Sequence, residues 1–141
     1  MKQKNKYPRQ PREYKARFVA YLAASIDGKI SLTTRHPPEW TSKEDWAFFQ
    51  KELGKCDAVV VGRNTFEGVR KRLSKRNTFV FSRASKAREG RVTFINPART
   101  DLKKLFAPYT RIALVGGAGV YQFMLNKGLM DELYVTIEPL V

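Results

Sequence analysis

Short apolar segments recur along the chain and alternate with more polar stretches. They are rich in β-branched and aromatic residues, and their length and composition favour strands over buried helices. The predicted strands are FVAYLAA (18–24), DAVVVG (57–62), TFVFS (78–82), RVTFI (91–95), RIALV (111–115) and ELYVTIE (132–138). Several of them are almost continuously apolar, which indicates burial on both faces of a sheet.

Four helices are predicted between these strands from capping residues and glycines. Thr41 or Ser42, followed by Glu44 and Asp45, forms a capping-box pattern that opens WAFFQKEL. The other helices are FEGVRKRL opened by Thr65, LKKLFA capped by Asp101, and VYQFMLNK entered from Gly117–Gly119 and stopped by Gly128. The order β-α-β-α-β-β-α-β-α-β predicts an α/β fold, with a mostly parallel sheet covered by helices on both faces.

The length of 141 residues fits one domain with a core of its own. Residues 1–16 are polar, contain proline and show no periodicity. We therefore expect a basic, disordered extension at 1–16 and the folded domain at 17–141.

Cysteine and histidine are too scarce for a disulfide framework or a metal site built on those residues. The chain has one of each, Cys56 and His36, so we expect no metal. No segment approaches the ~18 apolar residues of a membrane span, and the N-terminus does not resemble a signal peptide. The composition thus favours a soluble, cytoplasmic protein.

Positive charge is the unusual feature of the composition. Lysine and arginine number 27 against 13 acidic residues, a net charge of +14, and the basic residues concentrate at 2–17 and in RKRLSKR (70–76). Such an excess attracts polyanions. Nucleic acid is therefore a candidate partner through the basic tail, but it is not favoured, because the chain has no RNP-type aromatic box, zinc-finger spacing or KH-like GxxG setting.

Two segments have the form strand, glycine turn, helix: VVVGRNTFEG (59–68) and LVGGAGVY (114–121). Glycine lets a ligand approach the main chain, and a helix N-terminus offers N–H groups to phosphate. Either segment alone is also explained by tight strand–helix packing. Two of them in one small domain favour a nucleotide or dinucleotide at the carboxyl edge of the sheet.

Two further positions carry candidate chemistry. Ser82 and Arg83 end a predicted strand, where a hydroxyl and a guanidinium suit a terminal phosphate, such as the 2′-phosphate that separates NADPH from NADH. Asp45 lies in the first turn of a predicted helix, with Phe49 on the same face. Aromatic surroundings raise the pKa of a carboxyl group, which suits an acid catalyst; the alternative is that Asp45 only caps the helix.

Taken together, these segments resemble the dihydrofolate reductase superfamily. The motifs occur in the family's order across Phe18–Val141: AASIDGKIS, W-x4-D-x3-F, DAVVVGRNTFE, FVFSR, VGGAGVY and LYVT. The resemblance implies a dihydrofolate-reductase-like three-layer sandwich that binds NADPH and reduces 7,8-dihydrofolate to tetrahydrofolate by hydride transfer.

The resemblance also implies roles for individual residues. Asp45 would grip the pteridine and assist protonation of N5, Trp40 would close the mobile loop, and Thr136 would hydrogen-bond the carboxylate. Tyr121 would lie near the nicotinamide. The implied substrate-binding residues are Ala23, Ile30, Phe49, Val69 and Arg76. The implied cofactor-binding residues are Ala23, Ile30, Gly62, Arg63, Asn64, Thr65, Ser82, Arg83, Gly116, Gly117, Ala118, Gly119, Val120 and Tyr121.

The substrate remains open between two branches of the superfamily. The spacing of Trp40, Asp45 and Phe49, the presence of Thr136 and the place of Arg76 favour dihydrofolate. The phrases SIDGKIS, SKEDWAFF and GLMDELYVTIEPLV resemble instead the 5-amino-6-(5-phosphoribosylamino)uracil reductases of riboflavin biosynthesis. The loop TTRHPPEW also lacks the Gly-x-Leu-Pro-Trp usual in dihydrofolate reductases. A third alternative is a non-catalytic, basic nucleic-acid-binding protein on the same scaffold.

The end of the sequence departs from the resemblance. Members of the superfamily usually continue past the LYVT strand into a C-terminal antiparallel hairpin, which is missing here. If this end is natural, we expect an exposed apolar sheet edge and a homo-oligomer that covers it.

Overall fold

The computed structural model describes residues 14–25, 43–84 and 86–138, and their side chains apart from those of 23–25, 43–46 and 136–138. The strands are β1 (Arg17–Ser25), β2 (Ala58–Gly62), β3 (Thr78–Phe81), β4 (Ala87–Glu89), β5 (Val92–Ile95), β6 (Arg111–Leu114) and β7 (Glu132–Glu138). The helices are α1 (Lys43–Gly54), α2 (Arg63–Leu73), α3 (Leu102–Phe106) and α4 (Ala118–Asn126), with a 3-10 turn at Pro97–Arg99.

The strands form one sheet in the order β4-β5-β3-β2-β6-β1-β7. All neighbours are parallel except β4 and β5. This arrangement confirms the predicted α/β fold and its mostly parallel sheet. β7 forms one edge, and its Leu133 and Val135 are 51% and 46% exposed.

Buried side chains of a single strand alternate between two cores, one on each face of the sheet. In β2, Val60 belongs to the core that α3 and α4 cover, whereas Val59 and Val61 belong to the core that α1 and α2 cover. Successive side chains of a strand point to opposite faces, so a strand with helices on both sides needs apolar residues throughout. This explains the continuous apolar runs and confirms the helices on both faces.

Two of the predicted helix ends have the expected chemistry. The Asp101 carboxylate accepts a hydrogen bond from the Lys104 N–H and caps α3. Gly128 has a φ of 67° just beyond α4, a conformation that favours glycine. Its N–H donates to Leu125 O, and the next N–H donates to Met124 O, which together form a Schellman motif.

Three features of the fold differ from the sequence-based predictions. β4 was not predicted, because its three residues are all exposed and carry no apolar periodicity. α2 begins at Arg63 with Gly62 as its N-cap, so the prediction that Thr65 opens this helix is wrong by three residues. Tyr14 and Ala16, assigned to the extension, pack with the core, where Ala16 is fully buried.

Among the helices of the described residues, none is long and apolar enough to span a bilayer.

Candidate functional site

A cleft of about 910 Å³ lies at the carboxyl edge of the sheet. Parallel strands end at the same edge, so the turns that follow β3, β2 and β6, which are neighbours in the sheet, converge there. The cleft is lined by Gly62, Arg63, Asn64, Thr65, Phe81, Ser82, Arg83, Ala84, Asn96, Pro97, Ala98, Gly117, Ala118, Gly119, Val120 and Phe123.

Most of the residues predicted to bind a cofactor line this one cleft. Gly116 and Tyr121 do not line the cleft, but each is next in the sequence to a residue that does. Sequence analysis missed another group of lining residues: Phe81, Ala84, Asn96, Pro97, Ala98 and Phe123. The turn Asn96-Pro97 follows a parallel strand as the predicted turns do, which is the signal that could have identified it.

The two glycine turns pack directly against each other. The Gly62 N–H donates to Gly116 O at 2.7 Å, and a Cβ atom built on Gly62 would lie 3.3 Å from the Gly117 nitrogen. A Cβ atom on Gly117 would lie 3.2 Å from the Thr65 hydroxyl oxygen. Gly116 has a φ of 115°, and the Gly116–Gly117 peptide is cis. The absence of side chains at Gly62 and Gly117 therefore permits close packing of the two turns.

Two helices point their N-termini into the cleft. No side chain caps α2, which begins after Gly62, or α4, which begins after Gly117. The first N–H groups of a helix have no partner within it, and the helix dipole makes this end positive. Arg63 and Arg83 add two exposed guanidinium groups. The cleft thus combines features that bind the phosphates of an anionic ligand.

Ser82 and Asn96, which follow β3 and β5, form hydrogen bonds along one side of the cleft. The buried Ser82 hydroxyl accepts a hydrogen bond from the Ala84 N–H at 3.1 Å, and its main-chain N–H donates to Ile95 O at 2.7 Å. The Asn96 side chain accepts from the Ala98 N–H at 3.0 Å and so caps the 3-10 turn. Asn96 Nδ2 also donates to Arg83 O at 3.5 Å. Hydrogen bonds that restrict the Arg83 turn lower the entropic cost of binding a ligand there.

Tyr121, in α4 beside the cleft, is linked by a hydrogen bond to β1. Its hydroxyl donates to the main-chain oxygen of Tyr21 in β1 at 2.5 Å. The same hydroxyl would lie 3.8 Å from a Cβ atom on Gly116. Burial raises the pKa of the Tyr121 phenol, so this group stays protonated at neutral pH and acts as a donor.

The substrate side of the predicted site is described only in part. Trp40 and Ile30 lie outside the described residues, and so do the side chains of Ala23, Asp45 and Thr136. The main chain nevertheless places Asp45 in the first turn of α1 and pairs Ala23 in β1 with Thr136 in β7.

Phe49 and Val69 pack on the same side of the sheet, against one core cluster. The Phe49 ring meets the Tyr21 ring edge to face at 5.8 Å. Val69 has non-helical angles (φ −129°, ψ 22°) and marks a kink in α2.

The basic segment 70–76 is partly engaged in the fold. Arg70 pairs with Glu67 at 2.7 Å and with Glu89 at 3.3 Å. Arg76, which the resemblance implies as a substrate-binding residue, donates from Nη1 to Leu53 O at 2.9 Å, at the end of α1. In the part of the chain that the structure describes, no group of three His, Cys, Asp or Glu side chains could hold a metal ion.

Comparison with known proteins gives a consistent result. A family model described as Dihydrofolate reductase matches residues 19–138. The chain is similar to dihydrofolate reductase of Haemophilus influenzae, with 29% identity over 120 residues that cover 84% of this chain and 70% of that protein. It is also similar to the uncharacterized protein YyaP of Bacillus subtilis, with 27% identity over 143 aligned positions that cover 89% and 76% of the two chains.

The fold is likewise similar to that of a solved structure, dihydrofolate reductase from Enterococcus faecalis complexed with NADP(H) and RAB-propyl. The TM-score is 0.65 at 25% identity, and the match covers 88% of this chain and 71% of that one.

Proposed function

Since this chain belongs to the dihydrofolate reductase family, we propose that it is an NADPH-dependent reductase that converts 7,8-dihydrofolate to tetrahydrofolate. The observation that carries the proposal is the cleft in which two uncapped helix N-termini meet the turn of Ser82 and Arg83. A related enzyme of the same fold is complexed with NADP(H), which supports a nicotinamide cofactor here.

The donor set of the cleft fits a dinucleotide phosphate. The N-termini of α2 and α4, with Arg63, would bind the pyrophosphate, while Ser82 and Arg83 would bind a 2′-phosphate. Gly62 and Gly117 line the cleft and have no side chain that could obstruct a ligand. When bound, the cofactor supplies the hydride, and the protein supplies orientation and a proton route.

The substrate side of the proposal follows the family pattern. Asp45, in the first turn of α1, would hold the pteridine and assist protonation of N5, and Thr136 would hydrogen-bond its carboxylate. Phe49 would pack on the ring system, and Trp40 would close the loop over it. Tyr121 would support the nicotinamide side from α4.

The riboflavin-type pyrimidine reductase remains the second candidate, because parts of the sequence resemble that branch. The beginning of one of those phrases, GLMDEL in GLMDELYVTIEPLV, has a structural role that does not depend on the substrate. The Asp131 carboxylate accepts a hydrogen bond from the Phe18 N–H, and the Asp131 N–H donates to Phe18 O, both at 2.8 Å. This phrase therefore adds less support for a pyrimidine substrate than its sequence suggests.

A spectrophotometric assay tests both candidates together. The purified chain is mixed with NADPH and either dihydrofolate or 5-amino-6-(5-phosphoribosylamino)uracil, and oxidation of NADPH is followed. Oxidation that depends on dihydrofolate is the expected result. Oxidation with the pyrimidine alone would favour the second candidate, and NADPH binding without either reaction would contradict both.

A further inference from the structure

Glu52 is a buried carboxylate on the face of α1 that packs against the sheet, with an exposed fraction of 3%. Three groups surround it. Tyr21 Oη donates to Glu52 Oε1 at 3.2 Å, Lys55 Nζ donates to Oε2 at 2.6 Å, and Arg111 Nη2 lies 3.7 Å from Oε1. A buried carboxylate is costly unless it is paired and hydrogen-bonded. This one is held by Lys55, in the turn just after α1, and by residues of two strands, Tyr21 of β1 and Arg111 of β6.

Tyr21, in the middle of β1, contacts three other elements. Its ring meets Phe49 of α1 edge to face at 5.8 Å and stacks on Tyr134 of β7 at 5.4 Å with an interplanar angle of 9°. Its main-chain oxygen accepts the hydrogen bond from Tyr121 of α4. With its hydroxyl on Glu52, Tyr21 therefore touches both the substrate side and the cofactor side of the proposed site.

The Tyr21–Glu52 hydrogen bond connects β1 to α1 and so restrains the orientation of this helix. Phe49 lies one helical turn before Glu52 and Asp45 lies two turns before it, so all three share a face of the helix. A rotation or shift of α1 at Glu52 would move the other two positions with it. Arg111 adds a second link between α1 and the sheet. It pairs with Glu52 and also with Glu132 at the start of β7, where Arg111 Nη1 lies 3.2 Å from Glu132 Oε2.

We infer that Tyr21 and Glu52 are positioning residues for the substrate half of the site, holding α1 so that Phe49 and Asp45 meet the substrate. The inference rests on the proposed function, and it assigns neither residue a contact with substrate. Phe49 would pack on the ring system of the substrate and Asp45 would hold the pteridine, so a small displacement of α1 weakens substrate binding and raises KM. A hydrogen bond distant from the chemistry can therefore change the kinetics.

The experiment compares Tyr21→Phe, Glu52→Gln and the double variant in the full chain. Tyr21→Phe removes one oxygen and keeps the ring contacts and the main-chain acceptor for Tyr121, so it tests the inference even if Glu52→Gln does not fold. Tyr109→Phe is the matched control, because Tyr109 also packs edge to face on a phenylalanine, Phe79, and lies outside the proposed site. KM for dihydrofolate and Kd for NADPH are measured for each protein.

We expect KM for dihydrofolate to rise about tenfold in each single variant, while Kd for NADPH changes less than twofold, because the cofactor cleft is untouched. Tyr21→Phe removes the hydrogen bond to Glu52, whereas Glu52→Gln keeps an oxygen acceptor and removes the charge that pairs with Lys55 and Arg111. Because the two residues are in direct contact, their effects on KM should not simply add in the double variant. A purely structural role would lower the active fraction and leave KM unchanged. A rise in KM of less than threefold in Tyr21→Phe, or an equal change in Kd for NADPH, overturns the inference. Wild-type protein without dihydrofolate reduction contradicts the proposed function instead, and the inference fails with it.

Discussion

Gly62 and Gly117, which are far apart in the chain, meet at the floor of the cleft with almost no space between them. A Cβ atom on Gly62 would lie 3.3 Å from the Gly117 nitrogen and 3.5 Å from Val120 Cγ2. The turn after β2 and the turn after β6 therefore depend on each other, and any side chain at Gly62 must displace the start of α4.

The first prediction concerns this contact. Gly62→Ala should lower the free energy of unfolding by about 1–3 kcal/mol through overpacking, and raise Kd for NADPH about tenfold, because both helix N-termini move. Thermal unfolding and a fluorescence titration with NADPH measure the two effects. Gly54→Ala is the control, since no atom lies within 4 Å of a Cβ atom there. Equal changes in the free energy of unfolding and in Kd for NADPH in the two variants would contradict the prediction.

Arg83 should determine the preference for NADPH over NADH. In Arg83→Gln the guanidinium is lost, and Kd for NADPH should rise about tenfold while Kd for NADH stays nearly constant. The ratio of the two constants is the measurement. Arg99→Gln offers a matched exposed arginine outside the cleft lining. An equal loss of affinity for NADPH and NADH would show that Arg83 does not bind the 2′-phosphate.

Asp45 should supply the proton route. We expect Asp45→Asn to lower kcat with dihydrofolate at pH 7 by about 10²–10⁴-fold, the usual range for a general acid, with Kd for NADPH unchanged. Single-turnover kinetics and a cofactor titration separate the two quantities. Asp101→Asn should keep full activity, because asparagine also caps a helix. Full activity of Asp45→Asn would show that Asp45 only caps the helix and does not take part in proton transfer.

Asp57 should contribute to stability in a pH-dependent way. Its carboxylate accepts hydrogen bonds from Thr110 N, Thr110 Oγ1 and Arg111 N at 2.9, 3.0 and 3.1 Å. Partial burial would raise the pKa of Asp57, but the hydrogen bonds from Thr110 and Arg111 outweigh it, and the pKa is lowered from 3.8. The stabilisation is thus complete above pH 3.8 and is lost as the pH falls through the lower folded-state value.

Asp57→Asn should accordingly lower the free energy of unfolding at pH 7 by about 1 kcal/mol, a modest value because the group is exposed. The difference in Tm between the variant and the wild type should narrow below pH 3.8. A difference that stays constant between pH 7 and pH 3 would show that the charge of Asp57 does not stabilise the fold.

Local patterns in the sequence determined much of this protein. The continuous apolar runs in β2, β3 and β6 follow from burial on both faces of a sheet, and Asp101 and Gly128 act at the helix ends where their chemistry suits them. The glycine turns after two predicted strands also led to the prediction of a ligand site at the carboxyl edge of the sheet. Parallel strands all end at this edge, so the turns that follow them lie close together.

Tertiary structure decided the rest, since it depends on residues that are distant along the chain. The sequence does not show that Ala84 and Phe123 line the cleft, or that Gly62 must remain small because of Gly117. β4 was invisible for a related reason: three exposed residues become a strand only because β5 offers a partner. The pairing of Tyr21 with Glu52 likewise exists only once a strand and a helix pack together, because neither residue has a local pattern that identifies its partner.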